Sequence, residues 1–281
     1  MSDLHRLQIE PLIWRALEED WGYRDWTTDL CVPPGKKSKA VIVAKENLVV
    51  SGLETVHEVF RLVDPDLTLT LLVENGQEVE PGAELLNLQG SAQAILKGER
   101  VALNFLGRLC GIASHTRQYV KKLEGLKTQL LDTRKTTPGL RILEKSATMV
   151  GGARNHRFGL CDGVMVKENH IRAAGGITKA LESLLESLAP TIKVEVETTN
   201  LDEVEEAVRA GADIIMLDNM PLEMMKDAVK LVRGRVLLEA SGNVRLETIR
   251  DVALCGVDFI STSAIITRAP WADLSLLFDR E

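Results

Sequence analysis

The chain has 281 residues, 45% of them hydrophobic and 27% charged, with a formal net charge of −7. That length can bury a core without disulfide or metal staples and suits one large domain or two unequal ones. The acidic balance, with a pI near 5.4, argues against nonspecific nucleic-acid binding, and no apolar run reaches the roughly 18 residues of a membrane span. The first residues carry acids and no small-residue cleavage site, so no secretory signal is expected. Cys31, Cys110, Cys161 and Cys255 are far apart and form no C-x-x-C pair. They read as reduced thiols of a cytoplasmic protein.

Residues 7–19 place Leu7, Leu12, Ile13, Ala16 and Leu17 at helical spacing. Residues 25–34 are polar and turn-rich and are expected to form a loop. Residues 39–50 are rich in β-branched side chains and predict one or two strands. A helix is expected over 53–63 and a strand over 67–73. Asn75-Gly76 and Pro81-Gly82 are turn signals flanking a short strand, and 85–88 reads as another. This half is mixed α/β with antiparallel pairing. Its turns are similar to those of carrier-type β-hammerheads, but no modifiable lysine sits at such a turn, so a carrier role is not expected. Residues 93–123 carry a long helical pattern, expected to break or kink near Gly107 and Gly111. Arg100 lies within it beside Glu99, and on spacing alone reads as an exposed charge pair of no consequence.

From residue 128 the rhythm changes. Short apolar runs at 129–132, 164–166, 192–196, 213–217, 236–239 and 258–260 alternate with amphipathic helical patterns at 178–188, 201–210, 222–232 and 246–254. Strand–helix alternation at this pitch predicts parallel βα units. Six strands favour an incomplete (β/α) barrel over an open doubly wound sheet, and no G-x-G-x-x-G follows the first strand. Residues 269–281 are too short for another βα unit and are expected to pack back on the first domain. The expected division is 1–124, 125–268 and a tail at 269–281.

Residues 133–172 contain eight Lys or Arg and three acids, a formal +5 in a chain of −7. Such a cationic island in an acidic protein points to a local anion site. In a βα barrel the carboxyl ends of the strands build the active site. The expected strands run into Thr133-Arg134-Lys135, Lys167, Glu195-Val196-Glu197, Asp218-Asn219, Ser241-Gly242-Asn243 and Ser261-Thr262-Ser263. Arg134, Lys135, His156, Arg157 and Lys167 supply positive charge, and arginine's planar fork suits carboxylate or phosphate. Glu197 and Asp218 are two carboxylates on neighbouring strands, the usual means of holding Mg²⁺ beside a polyphosphate. Period-2 alternation puts Glu195 and Glu197 on one face, with Glu197 nearer the loop and Glu195 reading as an inward ion-pair partner. The small turns 241–243 and 262–264 occupy the late-strand position where phosphate is often bound. The residues thus describe a site for a phosphorylated, Mg-bound ligand next to a polycarboxylate.

The runs LDTRKTTPGLRILEK, GGARNHRFGLCDGVMVKENHI, KVEVET, MLDN and EASGN, with the helix ERVALNFLGRLCGIAS, resemble the quinolinate phosphoribosyltransferase family over nearly the whole chain. The resemblance implies an N-terminal α/β sandwich followed by an incomplete TIM-like α/β barrel. It implies Mg-dependent transfer of a phosphoribosyl group from phosphoribosyl pyrophosphate to quinolinate, giving nicotinate mononucleotide, pyrophosphate and CO₂ for NAD synthesis. By position, Arg134, His156, Arg157 and Lys167 are implied to bind quinolinate, Lys135 the pyrophosphate-bearing substrate, and Thr133 to touch substrate beside them. Glu197 and Asp218 are implied to contact Mg²⁺ and the ribose hydroxyls. Ser241, Gly242 and Asn243 with Thr262, Ser263 and Ala264 are implied to cradle the 5′-phosphate. The resemblance further implies that Arg100 enters the site of another subunit, hence a homodimer, with higher oligomers left open.

Three positions depart from the family pattern: Ser263 and Ala153 stand where glycine is usual, and Ser146 where an aromatic is usual. None removes a charge. The alternatives are a paralogue acting on nicotinate or another acid, a Schiff-base aldolase using Lys167, and a non-catalytic sensor of phosphoribosyl ligands. The intact set Arg134, His156, Arg157 and Lys167 favours a dicarboxylate.

Overall fold

The structure is a computed structural model that describes residues 3–279; residues 1, 2, 280 and 281 lie outside it. In chain order it contains α1 (Asp3–Trp21), α2 (Trp26–Cys31), β1 (Lys37–Ala44), β2 (Leu48–Val49), α3 (Leu53–Val63), β3 (Thr68–Leu71), β4 (Glu78–Val79), β5 (Glu84–Ser91) and α4 (Ala92–Lys122). Then follow β6 (Gln129–Leu131), α5 (Arg141–Val150), β7 (Val164–Val166), α6 (Glu168–Ala174), α7 (Ile177–Ser187), β8 (Val194–Thr198), α8 (Leu201–Arg209) and β9 (Ile214–Asp218). The last elements are α9 (Leu222–Val232), β10 (Leu237–Ser241), α10 (Ile249–Ala253), β11 (Phe259–Ser261), α11 (Ala264–Thr267) and β12 (Leu274–Phe278).

The chain divides into two compact units: Met1–Arg117 with Thr137–Gly152 and Ala269–Glu281, and Gln118–Thr136 with Ala153–Arg268. This differs from the division expected at residue 125, because α5 belongs to the first unit although it lies between two barrel strands in sequence. The reason is a buried polar anchor. Glu144 of α5 is fully buried, and its carboxylate accepts from the Arg108 guanidinium at 2.8 Å, the Thr137 amide at 2.8 Å and the Thr137 hydroxyl at 2.8 Å. Burying a carboxylate is costly unless such partners satisfy it.

In the first unit the sheet order is β12-β1-β5-β3. β1 pairs antiparallel with both β5 and β12, and Ile42, Leu85, Leu86 and Leu88 are buried in its core. The polar stretch after α1, expected as a loop, contains the short helix α2. Asp25 caps it by accepting from the Thr28 amide at 3.0 Å, a local hydrogen bond that outweighs a turn-rich composition.

The long helix α4 runs unbroken through 31 residues; the expected kink at Gly107 and Gly111 is absent. The glycines serve close approach instead. A Cβ at Gly111 would lie 1.9 Å from the Pro270 carbonyl oxygen, and one at Gly107 would lie 3.0 Å from that of Ala272. The Ala272 amide donates to the Gly107 carbonyl at 2.9 Å. The C-terminal segment thus lies in a notch on the helix that only hydrogen-sized side chains leave open.

The second unit holds a six-stranded parallel sheet in the order β6-β11-β10-β9-β8-β7. A doubly wound sheet reverses direction beside its first strand. Here the strands follow one another in sequence from β7 to β11, and the first, β6, lies beside the last. That cyclic order is a barrel's. Among the described residues β6 and β7 share no ladder; on that side β6 meets only residue 154, ten residues before β7, in a single parallel bridge from Leu131, so the barrel is incomplete. Among the described residues no helix is long and apolar enough to cross a membrane.

Substitution of Gly111 by Ala tests the notch. Alanine raises helix propensity by about 1 kcal/mol, but the clash is with backbone and must displace residues 270–272, an overpacking penalty of about 1–3 kcal/mol. Gly111→Ala is expected to lower the thermal midpoint, and Gly107→Ala, with its wider contact, to change it less.

Candidate functional site

The carboxyl ends of the six parallel strands surround a cleft of about 620 Å³. Glu197 is the fourth residue of β8, and Asp218 and Ser241 are the last of β9 and β10. The ladder pairs Asp218 directly with Ser241 and Glu197 with Met216. Alternation along the strands sends Met165, Glu197, Met216, Asp218, Ser241 and Ser261 to the cleft. Thr133, Arg134 and Lys135 follow β6, Lys167 follows β7, and Thr262, Ser263 and Ala264 follow β11. His156 and Arg157 come from the segment before β7. All these, with Gly242 and Asn243, line the same cleft. Arg100 does not: it is exposed on α4, in the first unit.

Six Lys or Arg side chains line the cleft, Arg134, Lys135, Arg157, Lys167, Arg245 and Arg268, against the two carboxylates of Glu197 and Asp218. Burial and then the neighbouring Arg134 charge push the Arg157 guanidinium below its ordinary value. Two guanidinium groups held close enough to perturb each other define a place for an anion. Arg157 is fixed by donating from Nη1 to the Gly163 carbonyl at 2.9 Å. Lys167 Nζ donates to Glu197 Oε2 at 2.9 Å, with the lysine side chain 48% exposed. That wet, paired setting is unlike the dry pocket a Schiff-base lysine needs.

His156, expected to supply positive charge, lines the cleft, and both its ring nitrogens have partners. Nδ1 accepts from the Arg157 amide at 2.7 Å. Nε2 lies 3.0 Å from Glu195 Oε2 and 3.5 Å from Glu239 Oε2. Both carboxylates are buried, and each leaves Oε1 without a hydrogen-bond partner among the described residues. Burial opposes a charge on the ring, yet the two carboxylates overcome it and push His156 up to about 10. Nε2 is the nitrogen that faces the two carboxylates, and burial pushes Glu195 upward. These three groups have ligand atoms within 4.8 Å of one another. With Nδ1 accepting and Nε2 protonated, however, the ring has no lone pair for a cation, so the cluster is a proton-holding core and not a metal centre.

Glu197 and Asp218 do fit Mg²⁺. They offer oxygen donors only, from adjacent strands, on one cleft, and Mg²⁺ commonly takes one or two carboxylates together with substrate phosphates.

The late-strand turns are built for close approach. Gly242 adopts φ +95°, and Asn243 and Asn219 adopt φ 51° and 53°. Thr262 Oγ1 donates to the Val244 carbonyl at 3.1 Å and accepts from the Ala264 amide at 3.2 Å. Ser263 sits at φ −76°, a conformation open to any residue, so serine here carries no backbone strain. Asn219, Arg245, Arg268 and Thr267 also line the cleft and were not expected. Asn219 had a signal in its place after a strand-end aspartate; the two arginines had none, because exposed cations outside a motif look alike in sequence.

The fold and the cleft define an α/β-barrel enzyme built to hold anionic substrates at its strand ends. Comparison with known proteins makes this specific. Residues 25–110 match the family model for the quinolinate phosphoribosyl transferase N-terminal domain and residues 112–277 that for the C-terminal domain. The chain is 48% identical over 271 residues to a probable nicotinate-nucleotide pyrophosphorylase (carboxylating) of Synechocystis sp., covering 95% of this chain and 92% of that one. It is 38% identical to a probable nicotinate-nucleotide pyrophosphorylase (carboxylating) of Bacillus subtilis, covering 97% and 94%. The solved nicotinate-nucleotide pyrophosphorylase of Francisella tularensis superposes with a TM-score of 0.93 at 41% identity, covering 97% and 96%. The chain belongs to the quinolinate phosphoribosyl transferase family.

The proton-holding core has a consequence for stability. The folded chain retains a proton that His156 in the unfolded chain releases near pH 6.5, so this contribution is complete below pH 6.5 and is lost as pH rises through about 10. Urea midpoints should fall across that window, and Glu195→Gln with Glu239→Gln should flatten that part of the fall.

Proposed function

We propose that this chain joins quinolinate to phosphoribosyl pyrophosphate, releasing pyrophosphate and CO₂ and forming nicotinate mononucleotide, a step of NAD synthesis. The observation that carries the reading is the six-to-two excess of cations in one cleft, in a chain of this family. Two polyanions repel each other in water, and a cleft of this charge holds both in reacting geometry.

In this reading Arg134, Arg157 and Lys167 hold the two carboxylates of quinolinate, with Thr133 beside them. His156 forms the wall behind the acid and, through Glu195 and Glu239, keeps that wall protonated. Lys135 faces the pyrophosphate. The turns 241–243 and 262–264 take the 5′-phosphate through amides, hydroxyls and the close approach that Gly242 permits. Glu197 and Asp218 hold the ribose hydroxyls and Mg²⁺. Bound there, the ion supplies charge neutralisation for the departing pyrophosphate.

The C1–O bond to pyrophosphate breaks as ribose C1 takes on oxocarbenium character, which the carboxylates of Glu197 and Asp218 stabilise. The pyridine nitrogen bonds to C1 and becomes cationic. The adjacent ring carbon then releases CO₂, keeps the electron pair next to the cationic nitrogen, and takes up one proton. The Lys167–Glu197 ion pair must loosen when both substrates are present, since one partner then faces a carboxylate of quinolinate and the other the sugar.

Arg100 is exposed on α4 and outside the cleft of the second unit, so its service to a site is best met by a second copy, as a homodimer. Four free cysteines, two of them exposed, suit a reducing compartment, and we read the chain as cytoplasmic.

Product formation tests the reaction. Nicotinate mononucleotide and CO₂ are expected with quinolinate, phosphoribosyl pyrophosphate and Mg²⁺, and no product when nicotinate replaces quinolinate; product from nicotinate would mean a paralogous activity. Lys135→Ala should lower kcat by about 10²–10³, the usual loss for one group stabilising developing charge. Arg100→Ala and Lys167→Ala should each be inactive, and mixing them should restore activity through heterodimers with one complete site. No recovery after demonstrated subunit exchange would rule out sharing.

A further inference from the structure

Three residues at neighbouring strand ends are tied by one side-chain amide. Asn219, the residue after β9, donates from Nδ2 to Asp218 Oδ2 at 2.8 Å. Its Oδ1 accepts from Asn243 Nδ2 at 3.2 Å. Its own amide donates to the Ser241 carbonyl at 2.9 Å. The carboxylate can only accept, which fixes which way the Asn219 amide faces and leaves its oxygen to Asn243. Asn219 pays for this place with a left-handed backbone, φ 53°, a region that non-glycine residues occupy when surrounding bonds hold them there. Gly242 makes the room: a Cβ there would lie 2.2 Å from Asn219 Oδ1 and 2.9 Å from its nitrogen.

We propose that Asn219 is a positioning residue for the phosphoribosyl substrate, bracing the carboxylate of Asp218 against the turn at Asn243 so that ribose and 5′-phosphate are gripped at a fixed separation. This rests on the function proposed above. The chemistry singles out asparagine. Aspartate has no donor for the Asp218 carboxylate and adds a like charge. Glutamine is one methylene too long for two contacts to immediate neighbours, and glycine keeps the backbone but loses the brace. The hydrogen bond to Oδ2 also leaves Asp218 Oδ1 to the ligand, so the brace sets which oxygen the sugar meets.

The brace acts on one substrate only, and that is what the test reads. Ribose 5-phosphate spans both ends of the braced region, inorganic phosphate one end, and quinolinate neither. By calorimetry on the full chain, Asn219→Gly should bind ribose 5-phosphate about tenfold more weakly, the effect of losing a hydrogen bond to a charged group. Its quinolinate affinity should stay unchanged and its thermal midpoint close to that of the parent. Asn219→Asp should bind ribose 5-phosphate more weakly still. In the parent, Asp218→Asn and Asn243→Ala should be non-additive in ribose 5-phosphate affinity, and in the Asn219→Gly background they should add. Parental ribose 5-phosphate affinity in Asn219→Gly would overturn the brace while leaving the proposed function standing. Equal weakening of quinolinate would also overturn it, since that is general loosening of the cleft. A parent chain that binds no ribose 5-phosphate would overturn the proposed function and the brace with it.

Discussion

The parallel hydrogen-bond ladder of the second unit is the constraint on which the rest depends. It aligns β7 to β11 and then β6 so that their carboxyl ends finish on one rim. Groups from residue 133 to residue 268 meet there, although they come from six separate strand ends and the segment before β7. A slip of one residue in β8 would exchange Glu197 for Val196 at the rim and turn Glu195 away from His156, because successive side chains face opposite sides. The same alternation explains why one strand supplies both a buried carboxylate and a cleft carboxylate. Glu195 and Glu197 are two residues apart, on one face, at different depths.

Electrostatics sets the second layer. A cleft with six cations and two carboxylates repels itself, and Arg134 and Arg157 feel one another directly. The barrel carries that repulsion because its walls are fixed by backbone ladders and not by the charged groups themselves. Beneath the cleft the sign reverses: Glu195 and Glu239 are buried together beside His156. The arrangement stacks buried carboxylates under a cationic surface. Such a layer draws the cleft cations inward without neutralising them.

Much of this could be read from the sequence, for definite reasons. Parallel strands covered on both faces appear as short apolar runs, so the six strands and the polar residues at their ends were visible, as was the amphipathic helix 53–63. The cationic island and the paired acids pointed to a polyanion and a divalent cation, but only the family motifs identified quinolinate. What was misread has one common cause: a residue's partner lay far away in the chain. Gly107 and Gly111 look like helix breakers until residues 270–272 are seen against them. Glu144 assigns α5 to the first unit through Arg108 and Thr137. His156 gives no sign in sequence that Glu195 and Glu239 enclose it. Asp25 is the local exception, a cap visible in sequence and outweighed by the composition around it.

The pairing of β1 with β12 joins residues 40–44 to residues 274–278, which has a kinetic meaning. A central strand of the first sheet cannot acquire both neighbours until nearly the whole chain has been synthesised. Until then β1 has one open edge, and the notch on α4 is empty. Contacts of such sequence separation form late, because loop closure must precede them. In the second unit β7 to β10 pair with strands close in sequence, and only β6 waits for a distant partner, β11 at residues 259–261. During synthesis β7 to β10 can therefore be in place while β1 and β6 both still lack a neighbour, and those open edges are the chain's interval of exposure to mispairing.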